Sequence, residues 1–590
     1  MLYLGIHAGH NSSASLMHDG KIIFALQEER FTNIKNFIGY PSQSIQYCLD
    51  YVKSHNLIID TAAFATTNQP LFFFKYRFSN FFNISDYDKY YSLSLNREKA
   101  IKFVKNHKQS KHNLGFYLPF SKVTKKNYFD VKFARLLLEK QLKKQAKQKI
   151  KEIIFLDHHT CHAYYSYFSS KNRKDNSCII SLDSFGDNAN QTIWITKNKK
   201  LNLVAKTDQF EIGRIYKFIT LILKMKPDEH EFKVMGLSAY SKKKFIINVY
   251  EKVFKNIQKF NGIKIVHKKR PKDLYNFLKE ATKNERFDNI AGGLQYFVEK
   301  LIKDLLIKIN KKYKIKNFYF SGGVSMNVKM YNSLGKLNFV DFLYSPPSGA
   351  DESLSIGACY YLSQNVKTEP LKNIYLGRNL LSKNKKLNYE LIKKKFSKKN
   401  YQITKNFNHK DLSFLLEKKE VIAVARGREE FGARALGNRS IIANPSDFEA
   451  VQKINESIKN RDFWMPFALT ILKDKHKEYI HNEKNFECDY MTMSFDTKKK
   501  NFNKIKAGCH SYDKTVRPQI LEKASNPNYY SIIKNFSNQT GIPALLNTSL
   551  NLHGNPVASS LDNVIYTFKN SGLKYLYLDD NFLIKKRKIK

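Results

Sequence analysis

The sequence predicts an α/β protein of at least two domains, on three observations. Its 590 residues exceed the roughly 250 to 300 at which one hydrophobic core stops growing. Short apolar runs end in small or acidic residues at IIFLD (153–157), CIISLD (178–183) and NFYFSGG (317–323), the pattern of buried strands opening onto a cleft. Beyond about residue 385, arginine, asparagine and glycine gather at the ends of apolar runs, which suits a phosphate or carboxylate pocket.

Composition narrows the class. Hydrophobic residues make up 42% of the chain and aromatics 14%, which excludes a disordered polypeptide. No stretch approaches the roughly 20 apolar residues of a membrane span. The start, MLYLGIHAGHNSSASLMHDG, lacks the basic region and apolar run of a signal peptide, so a cytoplasmic location is expected. The six cysteines (48, 161, 178, 359, 488 and 509) include no CxxC pair and read as reduced structural thiols. Lys+Arg number 101 against 52 Asp+Glu, a formal charge of +49 that raises the question of nucleic acid or an anionic membrane surface. The excess is spread through most segments beside many Asn, Ile, Phe and Tyr, as drift in an AT-rich genome would produce, and a nucleic-acid partner is not expected.

Taken in order, the chain opens as a β-hairpin: YLGI, a polar turn, SLM, the turn HDG, then IIFAL. From about 67 to 150 it becomes aromatic and basic (LFFFKYRF, KYYSLSL, KQSKHNLGFYLPF), which predicts a largely helical insertion that contacts a substrate or partner. IIFLD and CIISLD follow as buried strands, and NFYFSGGVSMN as a strand running into a glycine turn. FLYSPPSGADESLSIGACYYL gives a strand, a Pro/Gly loop and a helix starting near Asp351. Strand, small-residue loop and helix N-terminus is a common holder of phosphate or metal. A lysine-rich connector separates a first domain, 1–370, from a second, 385–590, and no internal repeat of 20 to 50 residues is visible.

DHHTCHAYYSY (157–167) puts an aspartate and three histidines into its first six residues. If a helix begins near residue 158, His158 and His162 are four apart and share a face, while His159 points about 100° away, toward the surface or a supporting position. A bare HxxxH also reads as a capped helix with hydrogen-bonded histidines. Asp183, ending a buried strand, and Asp351, opening a helix, place carboxylates at comparable cleft positions, whereas Asp187 in SFGDN reads as a cap. Two imidazoles with one or two carboxylates suit iron(II), manganese or zinc and match magnesium poorly.

LGIHAGHNSSASLMHDG, EERFTNIK, DHHTCHA, FKVMGLSAY, SGGVSMN, PPSGADESLSIGA, GREEFGARALGNRS, VRPQIL and LLNTSLNLHGNP span nearly the whole chain. In that order they resemble the O-carbamoyltransferases of the nodulation-protein and antibiotic-biosynthesis type. The resemblance implies a two-lobed Kae1-like domain of the actin/Hsp70/sugar-kinase superfold, followed by an α+β YrdC-like domain. It implies that carbamoyl phosphate and ATP form a carbamoyl-adenylate in the second domain. The first would transfer the carbamoyl group to a hydroxyl of a sugar-containing or other small metabolite or glycan; a homodimer is compatible with this.

By position, the resemblance makes His158, His162, Asp183 and Asp351 the ligands of a divalent metal, Fe(II) ahead of Mn or Zn. It puts His10 and Lys35 at the reacting group, where an imidazole could take the hydroxyl proton and an ammonium could hold phosphate or carbamoyl oxygen. Gly322, Gly323 and Asn327 correspond to the nucleotide loop. Arg428, Arg434, Arg439, Lys459, Arg461, Arg517, Asn551 and His553 correspond to the anion-binding set, with Arg439 the readiest to be a surface salt bridge instead.

Three positions depart from the family pattern: Met465 replaces the arginine of RPFAP, His553 the arginine of the NxxGxP loop, and Asn33 the arginine of EERFTNIK. Fewer positive groups would weaken carbamoyl phosphate binding. Two alternatives follow, an inactive nucleotide-binding scaffold and a tRNA threonylcarbamoyl transferase built from the same two domain types.

Overall fold

The computed structural model describes all residues except 71–80, 94, 108–128, 148, 268–269, 365–366, 382–386 and 588–590. Two aromatic runs of the insertion, LFFFKYRF and KQSKHNLGFYLPF, therefore lie outside the described residues. The chain divides into two compact units, one comprising Met1–Glu29 and Asn36–Leu371, the other Arg30–Lys35 and Lys372–Lys590. Six residues from within the first sequence domain, Lys35 among them, thus group with the second unit.

In the first unit, β1 (Leu2–His7), β2 (Ser13–His18) and β3 (Lys21–Gln27) form the expected antiparallel hairpins. Next to them, β4 (Ile59–Phe64) and β5 (Ile150–Phe155) join in parallel, in the order β3-β2-β1-β4-β5. A second sheet repeats that plan. Its antiparallel strands are β6 (Ser177–Gly186), β7 (Ala189–Lys197) and β8 (Lys200–Thr207). After a small hairpin, β9 (Lys259–Asn261) and β10 (Lys264–Val266), come the parallel strands β11 (Asn317–Ser321) and β12 (Phe342–Tyr344), giving β12-β11-β6-β7-β8. Two sheets of the same internal order are the duplicated, two-lobed plan of the actin and sugar-kinase fold. The copies share topology and not sequence, which is why no repeat is visible in the chain.

The helix His158–Ser169 lies between these sheets. Ala163 and Tyr167 pack with Ile179, Trp194, Tyr319, Phe342 and Tyr344 of the second sheet. Cys161 packs with Ala63, Ala65, Leu156, Leu354 and Ala358 on the side of the first. Burying both faces fixes the helix rotation and so the direction of His158 and His162. The helix starts where it does because the Asp157 side chain accepts the Thr160 N–H at 2.9 Å, a cap worth about 0.5–2 kcal/mol. The insertion is helical where described, at Ile84–Ser92, Arg97–Asn106 and Val131–Ala146. Asn83, Asn96 and Asp130 cap these helices through side-chain oxygens.

The second unit is built on an eight-stranded mixed sheet of β13 (Tyr401–Thr404), β14 (Ile422–Ala425), β15 (Arg439–Ala443), β16 (Ala468–Leu472), β19 (Pro518–Leu521), β20 (Ala544–Ser549), β21 (Tyr575–Leu578) and β22 (Phe582–Lys586). Their spatial order is β13-β22-β21-β14-β15-β20-β16-β19, and a short pair, β17 (Phe495–Asp496) and β18 (Thr515–Val516), stands apart. The helices His409–Glu417 and Pro527–Thr540 pack together in this unit. All six cysteines are free and buried. Among the described residues, no helix is long and apolar enough to cross a membrane.

Candidate metal centre and anion site

In the first unit, one ligand atom from each of His158, His162, Asp183 and Asp351 falls within 4.8 Å of the other three. His158 Nε2 lies 3.3 Å from Asp183 Oδ2 and 3.7 Å from Asp351 Oδ1, and His162 Nε2 lies 3.4 and 3.6 Å from the same two atoms. Both imidazoles thus present Nε2 to one pair of carboxylate oxygens. His162 is fully buried, yet neither ring nitrogen has a hydrogen-bond partner. An unpartnered imidazole in an interior is costly, and a cation held by both rings and both carboxylates removes that cost.

The electrostatics agree. Burial pushes the Asp183 carboxyl up, but the close approach of the His158 and His162 imidazoles outweighs it and holds Asp183 well below the usual range. Asp351 goes the other way: burial, then Asp183 itself, push it well above. Without a cation, two carboxylates cannot both ionise here; a divalent cation balances the pair.

Local structure explains the aim of each ligand. Contrary to the sequence reading, Asp183 does not end its strand; β6 runs on to Gly186, with a register irregularity between Leu182 and Gly186. Such a bulge turns a side chain out of the regular alternation. Gly186 leaves room for the His158 ring, which a Cβ at that position would strike. Asp351 opens the 3-10 turn Asp351–Ser353 ahead of the helix Leu354–Leu362. Asp187 accepts from the N–H groups of His158, Thr67 and Asn68 at 2.8, 2.6 and 2.7 Å, tying the β4 exit loop to the start of the histidine helix. His159 is not at the surface: it is fully buried, contacts Ser181 Oγ, and burial and the flanking histidines push it down to about 3. It supports the helix and is no ligand of the cluster.

His10 stands in the turn after β1. Burial lowers its proton affinity, and the Asp228 carboxylate partly offsets this. Asp228 has a left-handed backbone, φ 63°, and pairs with Lys217 at 2.7 Å, while Asn36 Nδ2 donates to its carbonyl at 3.1 Å. The sequence reading missed Lys217 and Asp228, and it missed His7. His7 ends β1, donates from Nε2 to the His10 carbonyl at 2.9 Å, and lies 4.0 Å from Asp351 Oδ2. The first histidine of HAGH, closing the apolar run YLGI three residues before His10, was the available signal.

In the glycine loop, Gly322 adopts φ 84° against the Leu182 backbone, where a Cβ would collide, and a Cβ on Gly323 would sit 3.3 Å from Asp183 Oδ1. The loop therefore lets β11 pass close to the Asp183 carboxylate. The Asn327 side chain is engaged within the protein, accepting from Met330 N–H at 3.0 Å and donating to Gln295 at 2.9 Å.

The second unit gathers Arg434, Lys459, Arg461 and Arg517. Burial, then Arg434 and Arg461, drive the Arg517 guanidinium well below its ordinary value, and its Nε is buried without a partner. Burial, Arg461 and Lys35 do the same to Lys459, which is 3% exposed. Burial and Arg434 push Arg461 down to about 10. Arginine stays protonated regardless, so the repulsion appears as unfavourable free energy that a bound anion relieves. Lys459 Nζ donates to Asn551 Oδ1 at 2.7 Å and Ser549 Oγ at 3.1 Å, and Arg461 donates to Thr548 Oγ1 at 3.0 Å. His553 donates from Nδ1 to the Lys459 carbonyl at 2.6 Å, so it holds the loop that carries Lys459.

Two arginines have other work. Arg428 donates from Nε to the Gly377 carbonyl at 2.9 Å and from its guanidinium to the Leu376 carbonyl. Arg439 is no surface salt bridge: it is fully buried and donates to the carbonyls of Arg426, Gly427, Asn438 and Ser559. Both brace the GREEFGARALGNRS loop. Glu430 completes the brace, accepting from the N–H groups of Leu436, Asn438 and Arg439 at 2.7, 2.8 and 3.3 Å. Glu430→Ala is expected to cost on the order of 3 kcal/mol, measured by urea unfolding, because it strands three buried donors.

A duplicated actin and sugar-kinase plan carrying a His2Asp2 cluster, joined to a unit with a partly buried cation cluster, defines an α/β protein with two polar centres. The chain belongs to the carbamoyltransferase family: residues 3–360 match the family's "Carbamoyltransferase N-terminus" and residues 413–586 its "Carbamoyltransferase C-terminus". An uncharacterized protein of Methanocaldococcus jannaschii is 29% identical over 100% of both chains. Nodulation protein NolNO of Sinorhizobium fredii is 26% identical over 98% of this chain and 79% of its own. Among solved structures, (R)-2-hydroxyglutaryl-CoA dehydratase component A of Acidaminococcus fermentans aligns at 14% identity and TM-score 0.33, covering 61% of this chain and 97% of that one.

Proposed function

We propose that the protein is a metal-dependent O-carbamoyltransferase that uses carbamoyl phosphate and ATP, through a carbamoyl-adenylate, to carbamoylate a hydroxyl of a sugar-containing or other small metabolite. The observation that carries this reading is the cluster of half-buried Arg434, Arg461 and Arg517 around buried Lys459, mutually repelling cations in an arrangement that suits the phosphates of both co-substrates. His158, His162, Asp183 and Asp351 would hold the metal, Fe(II) or failing that Mn or Zn, which when bound supplies Lewis acidity toward the carbamoyl carbonyl.

In the transfer step the acceptor oxygen bonds to the carbamoyl carbon and the bond to the adenylate phosphate breaks. AMP leaves with the electron pair, and the hydroxyl proton passes to His10. Burial keeps that imidazole neutral and ready to accept, with Asp228 sustaining its basicity. Of the family departures, Asn33 has φ 58°, a left-handed conformation asparagine tolerates better than arginine, and His553 supports the Lys459 loop. The four-cation cluster survives these changes, which favours an active enzyme over a scaffold. The free cysteines accord with a reducing, cytoplasmic setting.

The test is to incubate the purified protein with radiolabelled carbamoyl phosphate and ATP and resolve the nucleotides by chromatography. A labelled carbamoyl-adenylate that needs both co-substrates is expected. No adduct from metal-replete protein would sink the proposal.

A further inference from the structure

Helix Ile84–Ser92 of the insertion has two faces with different work. One face docks it onto the first unit. Tyr87 is fully buried, Asp88 accepts from Tyr275 at 2.5 Å and Lys279 at 2.9 Å, and Tyr91 packs on Phe218 at 5.0 Å. Lys217 Nζ, the partner of Asp228, lies 5.6 Å over the Tyr91 ring. The helix is therefore fixed, and its opposite face is a firm wall.

That wall and helix Arg97–Asn106 flank a shallow cavity of about 640 Å³, open to solvent on one side. Its size lies within the range of small-molecule sites, roughly 300–1,000 Å³. Lys89, Lys99 and Lys102 line it with Asp86, Phe103 and His107. Asp86 is already committed, accepting the Asn83 N–H at 3.0 Å and lying 3.2 Å from His107 Nε2. Lys89 Nζ stands 5.3 Å over the Phe103 ring, which orients it. Among the described residues, no ion pair joins any of the three lysines to a carboxylate. Three cations therefore face the space against one acid that already has partners, and polar and aromatic groups sit beside them for a hydroxylated ring.

We propose that this cavity binds a phosphate-bearing small metabolite, the lysines taking the phosphate and Asp86 and His107 meeting sugar hydroxyls. A sugar phosphate and a nucleotide sugar share this chemistry. The site is separate from the cation cluster of the second unit and does not depend on the carbamoyl reading.

The experiment is calorimetry on the full-length chain carrying Arg517→Ala, which disables the other phosphate-binding cluster. Glucose 6-phosphate, UDP-glucose and glucose are titrated in turn. At least one phosphorylated ligand is expected to bind and glucose not to; the stronger of the two identifies the source. Adding Lys99→Glu and Lys102→Glu should weaken binding at least tenfold, while Lys99→Arg with Lys102→Arg should preserve it. Both lysines are exposed, so the fold is expected to persist, checked by the melting temperature. Binding unaffected by the glutamate pair, or equal binding of glucose, overturns the proposal, as does the absence of binding by both phosphorylated ligands.

Discussion

His162→Ala is expected to lose the bound metal and abolish carbamoyl transfer while carbamoyl-adenylate formation continues. The ring is fully buried with both nitrogens unpartnered, and its Nε2 faces the same two carboxylate oxygens as that of His158. Without it, three ligands remain around two carboxylates that repel each other. The expected loss in transfer rate is on the order of 10³-fold, about 4 kcal/mol of transition-state stabilisation. Metal analysis of the anaerobically purified variant, beside a single-turnover transfer assay, checks it. Retained adenylate formation separates loss of the centre from loss of the fold, and full metal occupancy in the variant would contradict the ligand assignment.

Arg517→Met is expected to have the opposite pattern, with adenylate formation reduced at least 10²-fold and metal content unchanged. It should also raise the stability of the ligand-free protein by about 1 kcal/mol, because it removes a partly buried cation opposed by Arg434 and Arg461. In the wild type, phosphate and ATP should raise the melting temperature, and in the variant that response should shrink. The pH dependence follows from Lys459, whose ammonium is held well below its ordinary value. A group depressed on folding destabilises the fold as pH falls from the ordinary lysine range, about 10.4, through the lowered value. The ligand-free chain should therefore lose stability over that descent, and bound phosphate should flatten it. Thermal melts with and without phosphate measure both effects.

Much of this was legible in the sequence because chemistry and periodicity pointed the same way. HxxxH after an apolar strand placed two imidazoles on one helix face, and Asp351 followed a Pro/Gly loop at a helix start. Other features depend on long-range packing. Asp183 is aimed by a bulge that no local pattern marks. Arg428 and Arg439 look the same in sequence as Arg434 and Arg517, yet the first two donate to backbone carbonyls and the second two lie in the cation cluster. Lys35 sits in a six-residue stretch that groups with the second unit, which linear order cannot reveal. The left-handed Asp228 beside Lys217 was hidden because KPDEHE reads as an ordinary charged turn.

The most direct test follows label from carbamoyl phosphate into an acceptor. Metal-loaded protein is incubated with radiolabelled carbamoyl phosphate, ATP and a panel of nucleotide sugars and glycans, and acceptors are screened by mass for carbamoylation. The account predicts one hydroxyl-carbamoylated product, formed with one AMP per carbamoyl group and absent without ATP or metal. Transfer that proceeds at full rate after ATP is omitted, or after the metal is stripped, would contradict it.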